Sequence, residues 1–259
     1  MTEGRVTLER RGAVGFVTFD RPDARNAMTT AMYADLRGIC EKLAEDGSVG
    51  VVVFRGAGGK AFVAGSDIAI FDGFRGGEDG IAYEAEMEGN LQALAGLPMP
   101  TIAAVEGWAV GGGLATAAAC DFRIATPDSR FGVPIARTIG NCLSIFNYAR
   151  LVAEFGPART KRMLMLGDML SADEALACGF LLDVVAAEGM DDRIQTLCDR
   201  ILGNAPVTMR VSKQMIGRVH EALGLTEAED LVAEVYGSRD FKHGVSSFRG
   251  KTKPVWEGR

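Results

Sequence analysis

Residues 109–121, AVGGGLATAAACD, hold the clearest hint of chemistry in the chain. Three consecutive glycines, Gly111 to Gly113, lead into an alanine-rich run that favours helix. A helix that opens on glycine leaves its first N–H groups unpaired and approachable, and the positive end of its dipole faces the same way. Such a junction suits a phosphate, or an oxygen that gains negative charge. A phosphate-gripping P-loop requires Gly-Lys-Ser/Thr, whereas Leu114-Ala115 follows here. Neither GAGGKA (56–61) nor AVGGGLA (109–115) has the GxGxxG spacing of a dinucleotide site. Small residues would also permit close helix–strand packing, so the glycines alone leave both readings open.

A second loop, Ala64-Gly65-Ser66-Asp67, follows an apolar strand one structural unit earlier. If successive units stack, its amides face those of the glycine run and two backbone donors converge as an oxyanion hole. Each such donor typically supplies about 3–4 kcal/mol of transition-state stabilisation. Asp67 reads as a carboxylate that fixes this loop rather than as a base, and Trp108 as a pocket or core wall. The two histidines, His220 and His243, are too far apart in sequence to suggest a metal site or a triad. Five cysteines (Cys40, Cys120, Cys142, Cys178, Cys198) at irregular spacing, without a CxxC pair, read as free and mostly buried thiols.

The elements that must position these loops follow from periodicity. Alternation on both sides of Arg11-Gly12 predicts a β-hairpin over 5–19, and apolar residues spaced by three and four predict a helix over 30–46. Strands are expected at 50–55, 101–106, 121–126 and 179–185, and helices at 81–95 and 113–119. The Gly- and charge-rich stretch 71–80 is expected to be a mobile loop. Ser171-Ala-Asp-Glu174 and Thr226-Glu-Ala-Glu229 have the form of capping boxes. Strand, glycine loop and helix recur, so the fold expected is α/β, built from repeated strand–strand–helix turns. Residues 1–195 form its core and 196–259 a helical region.

The chain has 259 residues, of which 47% are hydrophobic, and a formal charge of −6. This suits a globular protein with a substantial core and argues against a nucleic-acid surface. Early charges exclude a signal peptide, and no run reaches the roughly 18 apolar residues of a membrane span. A cytoplasmic protein without membrane partners is expected.

Six segments in order then resemble the crotonase family, the enoyl-CoA hydratase/isomerase superfamily. DRPDARNAM (20–28) is similar to its NRPxxxNAL signature, KAFVAGSDI (60–68) to KAFxAGADI, and EGWAVGGGLATAAACDFRIA (106–125) to NGxAxGGGxELxxxCDxxxA. RFGVP (130–134) resembles FxxP, SADEALACGFLLDVV (171–185) resembles TAxEAxxxGLVxxVV, and the tail 238–259 resembles DxxEGxxAFxxKRxPxFxGR. The resemblance implies a superhelix of ββα turns with a C-terminal α-helical trimerisation region, assembled as a homotrimer or dimer of trimers. It implies an acyl-CoA thioester as ligand, coenzyme A being part of the substrate and no separate cofactor being needed. The thioester oxygen would accept from the amides of Ser66 and Gly112. Coenzyme A contacts would fall to Arg25, to Ala64, Asp67 and Ile68, and to Phe248 and Lys251 from a neighbouring subunit.

The family's two hydratase glutamates would stand at positions that here hold Ala115 and Ile135, neither able to carry a proton. A positioned acid or base is typically worth about 10²–10⁴ in rate, so ordinary hydration should be largely lost. After Pro134 no acid occurs before Glu154, and the polar residues are Arg137, Thr138, Asn141, Cys142, Ser144, Asn147 and Tyr148. Three readings remain open. The substrate could carry its own carboxylate, lost as carbon dioxide and oriented by Arg137, Asn141 or Ser144. A relocated acid, from Asp72, Glu78, Glu84, Glu86 or Glu88, could retain hydratase or isomerase chemistry. Or the chain could bind acyl-CoA without turning it over.

Overall fold

Alternation, helical periodicity and glycine turns combine into two sheets threaded by one coiling chain. A computed structural model describes residues 3–223 and 227–258. The hairpin β1 (Arg5–Arg11) and β2 (Val14–Asp20) pairs antiparallel, as the alternation predicts. Helix α1 (Thr30–Glu45) follows, its first turn capped by Thr29, whose hydroxyl accepts from the Met32 amide at 3.2 Å. Its buried face carries Met32, Tyr33, Leu36, Cys40 and Leu43, at the three- and four-residue spacing that lays one helix side on a core.

Three strand–strand–helix turns come next: β3 (Val51–Gly56), β4 (Ala61–Val63) and α2 (Gly77–Ala95); β5 (Thr101–Val105), β6 (Trp108–Val110) and α3 (Gly112–Ala119); β7 (Phe122–Ala125), β8 (Arg130–Gly132) and α4 (Ile145–Lys161, kinked at Gly156). The first strand of each turn joins a six-stranded sheet of order β1-β2-β3-β5-β7-β10, and the second a four-stranded sheet, β4-β6-β8-β9. Strand β9 (Leu170–Ser171), helix α5 (Ala172–Ala177) and β10 (Asp183–Val184) complete the two sheets. Central strands such as Val51–Phe54 are buried on both faces, which explains their unbroken apolar runs.

Helix α6 (Met190–Leu202) packs Met190, Ile194, Leu197, Cys198 and Ile201 against the outer face of the large sheet. The 195/196 division falls inside this helix, whose apolar stripe is continuous across it. Helices α7 (Pro206–Leu223), α8 (Glu229–Gly237) and α9 (Arg239–Gly250) follow. Among the described residues, no helix is long and apolar enough to cross a membrane. All five cysteines are free thiols, and four are buried.

Four expectations need correction. The stretch 71–80 is structured: a 3₁₀ turn spans Ile68–Gly73, and α2 begins at Gly77 because the Asp79 carboxylate caps the Arg75 and Gly76 amides at 2.7 and 3.1 Å. Phe71 and Phe74 anchor the turn in an aromatic cluster with Tyr83, Tyr236 and Phe241. Strand β10 keeps only two residues of 179–185. Ser171 does cap the Glu174 amide, but Glu174 turns to Arg162 and Arg159 instead of closing a reciprocal box. Thr226 lies outside the described residues, and Glu229 is the first residue of α8, preceded by Ala228, so it does not occupy the third position of a box.

Candidate active site

The loop between β2 and α1 builds one wall of the site through a single buried amide. Asn26, fully buried in the left-handed region at φ 57°, accepts from the Arg21 amide and donates to Ala57 O and Ala61 O at 3.0 and 2.7 Å. This ties the DRPDARNAM loop to β4. Beyond β4, Met28 bridges the next loop: its N–H donates to Gly65 O at 2.9 Å and its carbonyl accepts from Asp67 N at 2.7 Å. Successive amides of extended chain point to opposite sides, so the Ser66 N–H faces away from Met28 and toward a cavity.

The other wall is the junction between β6 and α3. Gly111 takes φ 56° and ψ −122°, a conformation open to glycine alone, and its N–H donates to Gly132 O at 2.9 Å. That turn frees the Gly112 amide at the helix start. A Cβ built on Gly112 would lie 4.0 Å from Ser66 N, 3.6 Å from Ser66 Oγ and 2.9 Å from the Tyr33 hydroxyl. Among the described residues, neither the Ser66 nor the Gly112 amide donates to a protein acceptor. The two loops singled out in the sequence therefore converge, with free donors, on a cavity of about 650 Å³.

Ala115 and Ile135 line this cavity as apolar walls, as does Trp108. Arg25, Ala64, Asp67, Ile68, Arg137 and Asn141 line it too. Phe248 reaches it from α9 of the same chain. Lys251 caps the end of α9 at φ 52° and is not part of the lining. Ser144 sits behind the wall, where it donates to Glu88 at 3.0 Å. Glu88 is buried against Arg150 and also stays outside the lining. Asp72 pairs with Arg249, Glu78 sits in the first turn of α2, and Glu86 is exposed.

Two carboxylates among the described residues do line the cavity, Asp67 and Glu84, and their surroundings push them apart. Burial would raise Asp67, but the Ala69 amide and the Arg21 guanidinium hold its carboxyl below the usual carboxylate range. It is a loop-fixing anion, as the sequence suggests. Because its folded-state pKa is depressed, its contribution to stability is present above the unfolded value of about 3.9 and is lost as pH falls through the folded one. Asp67→Asn should accordingly flatten the fall in urea-melt stability below about pH 4. An unchanged acid limb would count against this role.

Glu84 is 5% exposed, and burial pushes its carboxyl up to about 7 even though Tyr236 donates to it at 2.6 Å and the Ser144 amide also donates. In the lining of the same cavity, Ser66 Oγ lies 2.8 Å from the Tyr33 hydroxyl and 2.7 Å from that of Tyr83. Burial raises both phenols, Tyr33 to about 12, so both keep their protons. Sequence reasoning did not single out these tyrosines. Tyr33 is one position from Met32 on an apolar helix face and reads there as core. Tyr83 and Tyr236, 153 positions apart, meet only in the folded chain.

Strand–strand–helix turns that bring two free amides to one apolar cavity define the crotonase architecture. Residues 9–259 match the family model for enoyl-CoA hydratase/isomerase, and the chain belongs to that family. A short-chain-enoyl-CoA hydratase of Clostridium acetobutylicum is 32% identical over 98% of this chain and 97% of its own. Among solved structures, an enoyl-CoA hydratase/carnithine racemase from Magnetospirillum magneticum is 36% identical with a TM-score of 0.79, covering 98% of this chain and 96% of its own. Methylmalonyl-CoA decarboxylase in complex with 2-nitronate-propionyl-CoA is 25% identical with a TM-score of 0.89, covering 98% and 99%.

Proposed function

We propose that the chain is an acyl-CoA isomerase that holds a thioester oxygen on the Ser66 and Gly112 amides and moves one proton with Glu84. The observation that carries this reading is a buried carboxyl in the cavity wall whose pKa of about 7 suits it to take and return a proton near neutral pH. Ionised Glu84 removes a proton from the carbon next to the thioester, and the electron pair moves onto the carbonyl oxygen held by the amides. Protonated Glu84 then returns the proton to the same carbon or, in a 3-enoyl thioester, two carbons further on, which shifts the double bond. Two-acid hydration is disfavoured because Ala115 and Ile135 offer no second proton carrier. Arg25 at the rim is suited to the phosphates of coenzyme A, with Ala64, Ile68 and Phe248 beside its base.

The test uses butyryl-CoA in deuterium oxide and a 3-enoyl-CoA. Deuterium should replace the C2 protons of the first, read by proton NMR, and the second should gain the ultraviolet absorbance of a conjugated enoyl thioester. Neither change, with saturable binding, would leave a binding protein. A second reading is favoured by Arg137, which lines the cavity and pairs with no carboxylate among the described residues, and by the decarboxylase neighbour. It predicts carbon dioxide release from methylmalonyl-CoA without C2 exchange in butyryl-CoA.

Helix α7 exposes Val207, Val211, Met215, Ile216 and Val219, mostly on one stripe. Such a stripe on a helix suits burial against copies of the same chain, and we expect a trimer or dimer of trimers by sedimentation. Val211→Glu combined with Met215→Glu should lower the mass toward that of the monomer.

A further inference from the structure

The hydroxyls of Tyr33, Ser66 and Tyr83 form a chain of three groups joined by two hydrogen bonds of 2.8 and 2.7 Å. Three hydroxyls bring three protons, and two bonds use two of them. One proton is left over in every arrangement: on Tyr83 if the chain runs from Tyr33, on Tyr33 if it runs from Tyr83, and on Ser66 if both tyrosines donate to it. Among the described residues no protein acceptor takes it. All three side chains line the cavity, so the spare proton is available to whatever lies there. A buried donor without an acceptor is costly, which makes this a site set up for an oxygen.

Which end donates is decided by position. The Tyr33 hydroxyl lies 2.9 Å from the point where a Gly112 Cβ would stand and is the nearest atom to it, whereas the Tyr83 hydroxyl, bonded to Ser66 from α2, is not among the three nearest. Glycine at position 112 is what leaves room for that hydroxyl. We infer that Tyr33 is a third oxyanion donor, a catalytic side chain beside the two backbone amides, and that Tyr83 acts through Ser66 to point the chain's proton toward it. This rests on the reading that a thioester oxygen occupies the hole. As negative charge grows on that oxygen, the polarity Tyr83 to Ser66 to Tyr33 is selected, and the donor strengthens where a neutral ground state demands least. No proton leaves Tyr33, whose raised pKa keeps it a donor at neutral pH.

The experiment reads the donor directly, by infrared difference spectra of butyryl-CoA labelled with carbon-13 at the carbonyl and bound to the protein. Tyr33→Phe should move the carbonyl stretch up toward its value in water and slow C2 exchange by about 10²- to 10³-fold. Binding of coenzyme A itself should not change. Tyr83→Phe leaves Ser66 able to donate to Tyr33 and should slow exchange by less than about threefold. Replacement of Tyr33 by 3-fluorotyrosine keeps the shape and strengthens the donor, so the stretch should fall below that of the wild type. An unmoved stretch in both Tyr33 variants, or equal losses in the two phenylalanine variants, would overturn the inference. The stretch is measured whether or not exchange occurs, so a chain without proton-transfer activity fails the functional reading and leaves this one separately decided.

Discussion

Glu84→Gln should slow C2 exchange in butyryl-CoA by about 10²- to 10⁴-fold while making the folded protein more stable at pH 8. The two effects have one cause. Burial holds the Glu84 carboxyl near 7 in the folded chain, well above the ordinary value of 4.5. Between those values the folded state keeps a proton that the unfolded state has released, so stability falls as pH rises across that window and stays lower above it. The difference corresponds to about 3 kcal/mol at pH 8 as an order of magnitude. Glutamine carries no charge and should remove that loss, keeping one oxygen to accept from Tyr236. In the wild type the exchange rate should climb with pH and level off above about pH 7, as the base form fills. A glutamine variant that exchanges normally, or one that is less stable at pH 8, would remove Glu84 from the chemistry. A residue kept only for packing would not combine a gain in stability with a loss of rate.

Much of the scaffold is legible in the sequence. The apolar spacing over 30–46 and the uninterrupted VVVF of β3 mark elements whose type follows from local periodicity and burial. Strands β6 and β8 are not legible, because three residues carry no measurable alternation and exist only as rungs of the second sheet. The loops holding Ser66 and Gly112 were legible as candidate donors because glycine and an unpaired helix start are local properties. Glu84 was visible as one of five acids. What singled it out, a Tyr236 hydroxyl from α8 and removal from water, is long-range and leaves no local signal. The same holds for the tyrosines, whose hydroxyls meet on Ser66 across three elements. The stretch 71–80 reads as mobile because its glycine content outweighs Phe71 and Phe74, whose rings find their partners in Tyr83 of α2 and in Tyr236 and Phe241 of the helical tail.

Gly113→Ala should cost more stability than Gly112→Ala and should lose most of the exchange activity. A Cβ at that position would stand 1.9 Å from Val63 O and 2.7 Å from the Val63 carbonyl carbon, in a fully buried strand backbone paired with β6. No side-chain rotation relieves that contact, so α3 and β4 must separate. Overpacking of this kind typically costs about 1–3 kcal/mol. The functional loss should be larger in proportion, because Ser66 stands three residues beyond Val63 and Gly112 is the neighbour of Gly113. Separating the two segments pulls the donors off a common oxygen, and loss of one donor costs about 10²–10³ in rate. At Gly112 the added methyl would crowd only the tip of the Tyr33 side chain, at 2.9 Å, and make ordinary contact with Ser66, so Gly112→Ala should be the milder change in stability. Gly38, on α1 with nothing within 4 Å of an added Cβ, supplies the control: alanine there should stabilise by about 0.5–1 kcal/mol and leave exchange untouched. Thermal melts and C2 exchange on the three variants separate the two roles of the glycines. If Gly113→Ala keeps wild-type exchange, close packing of α3 on β4 is not what holds the two amides together.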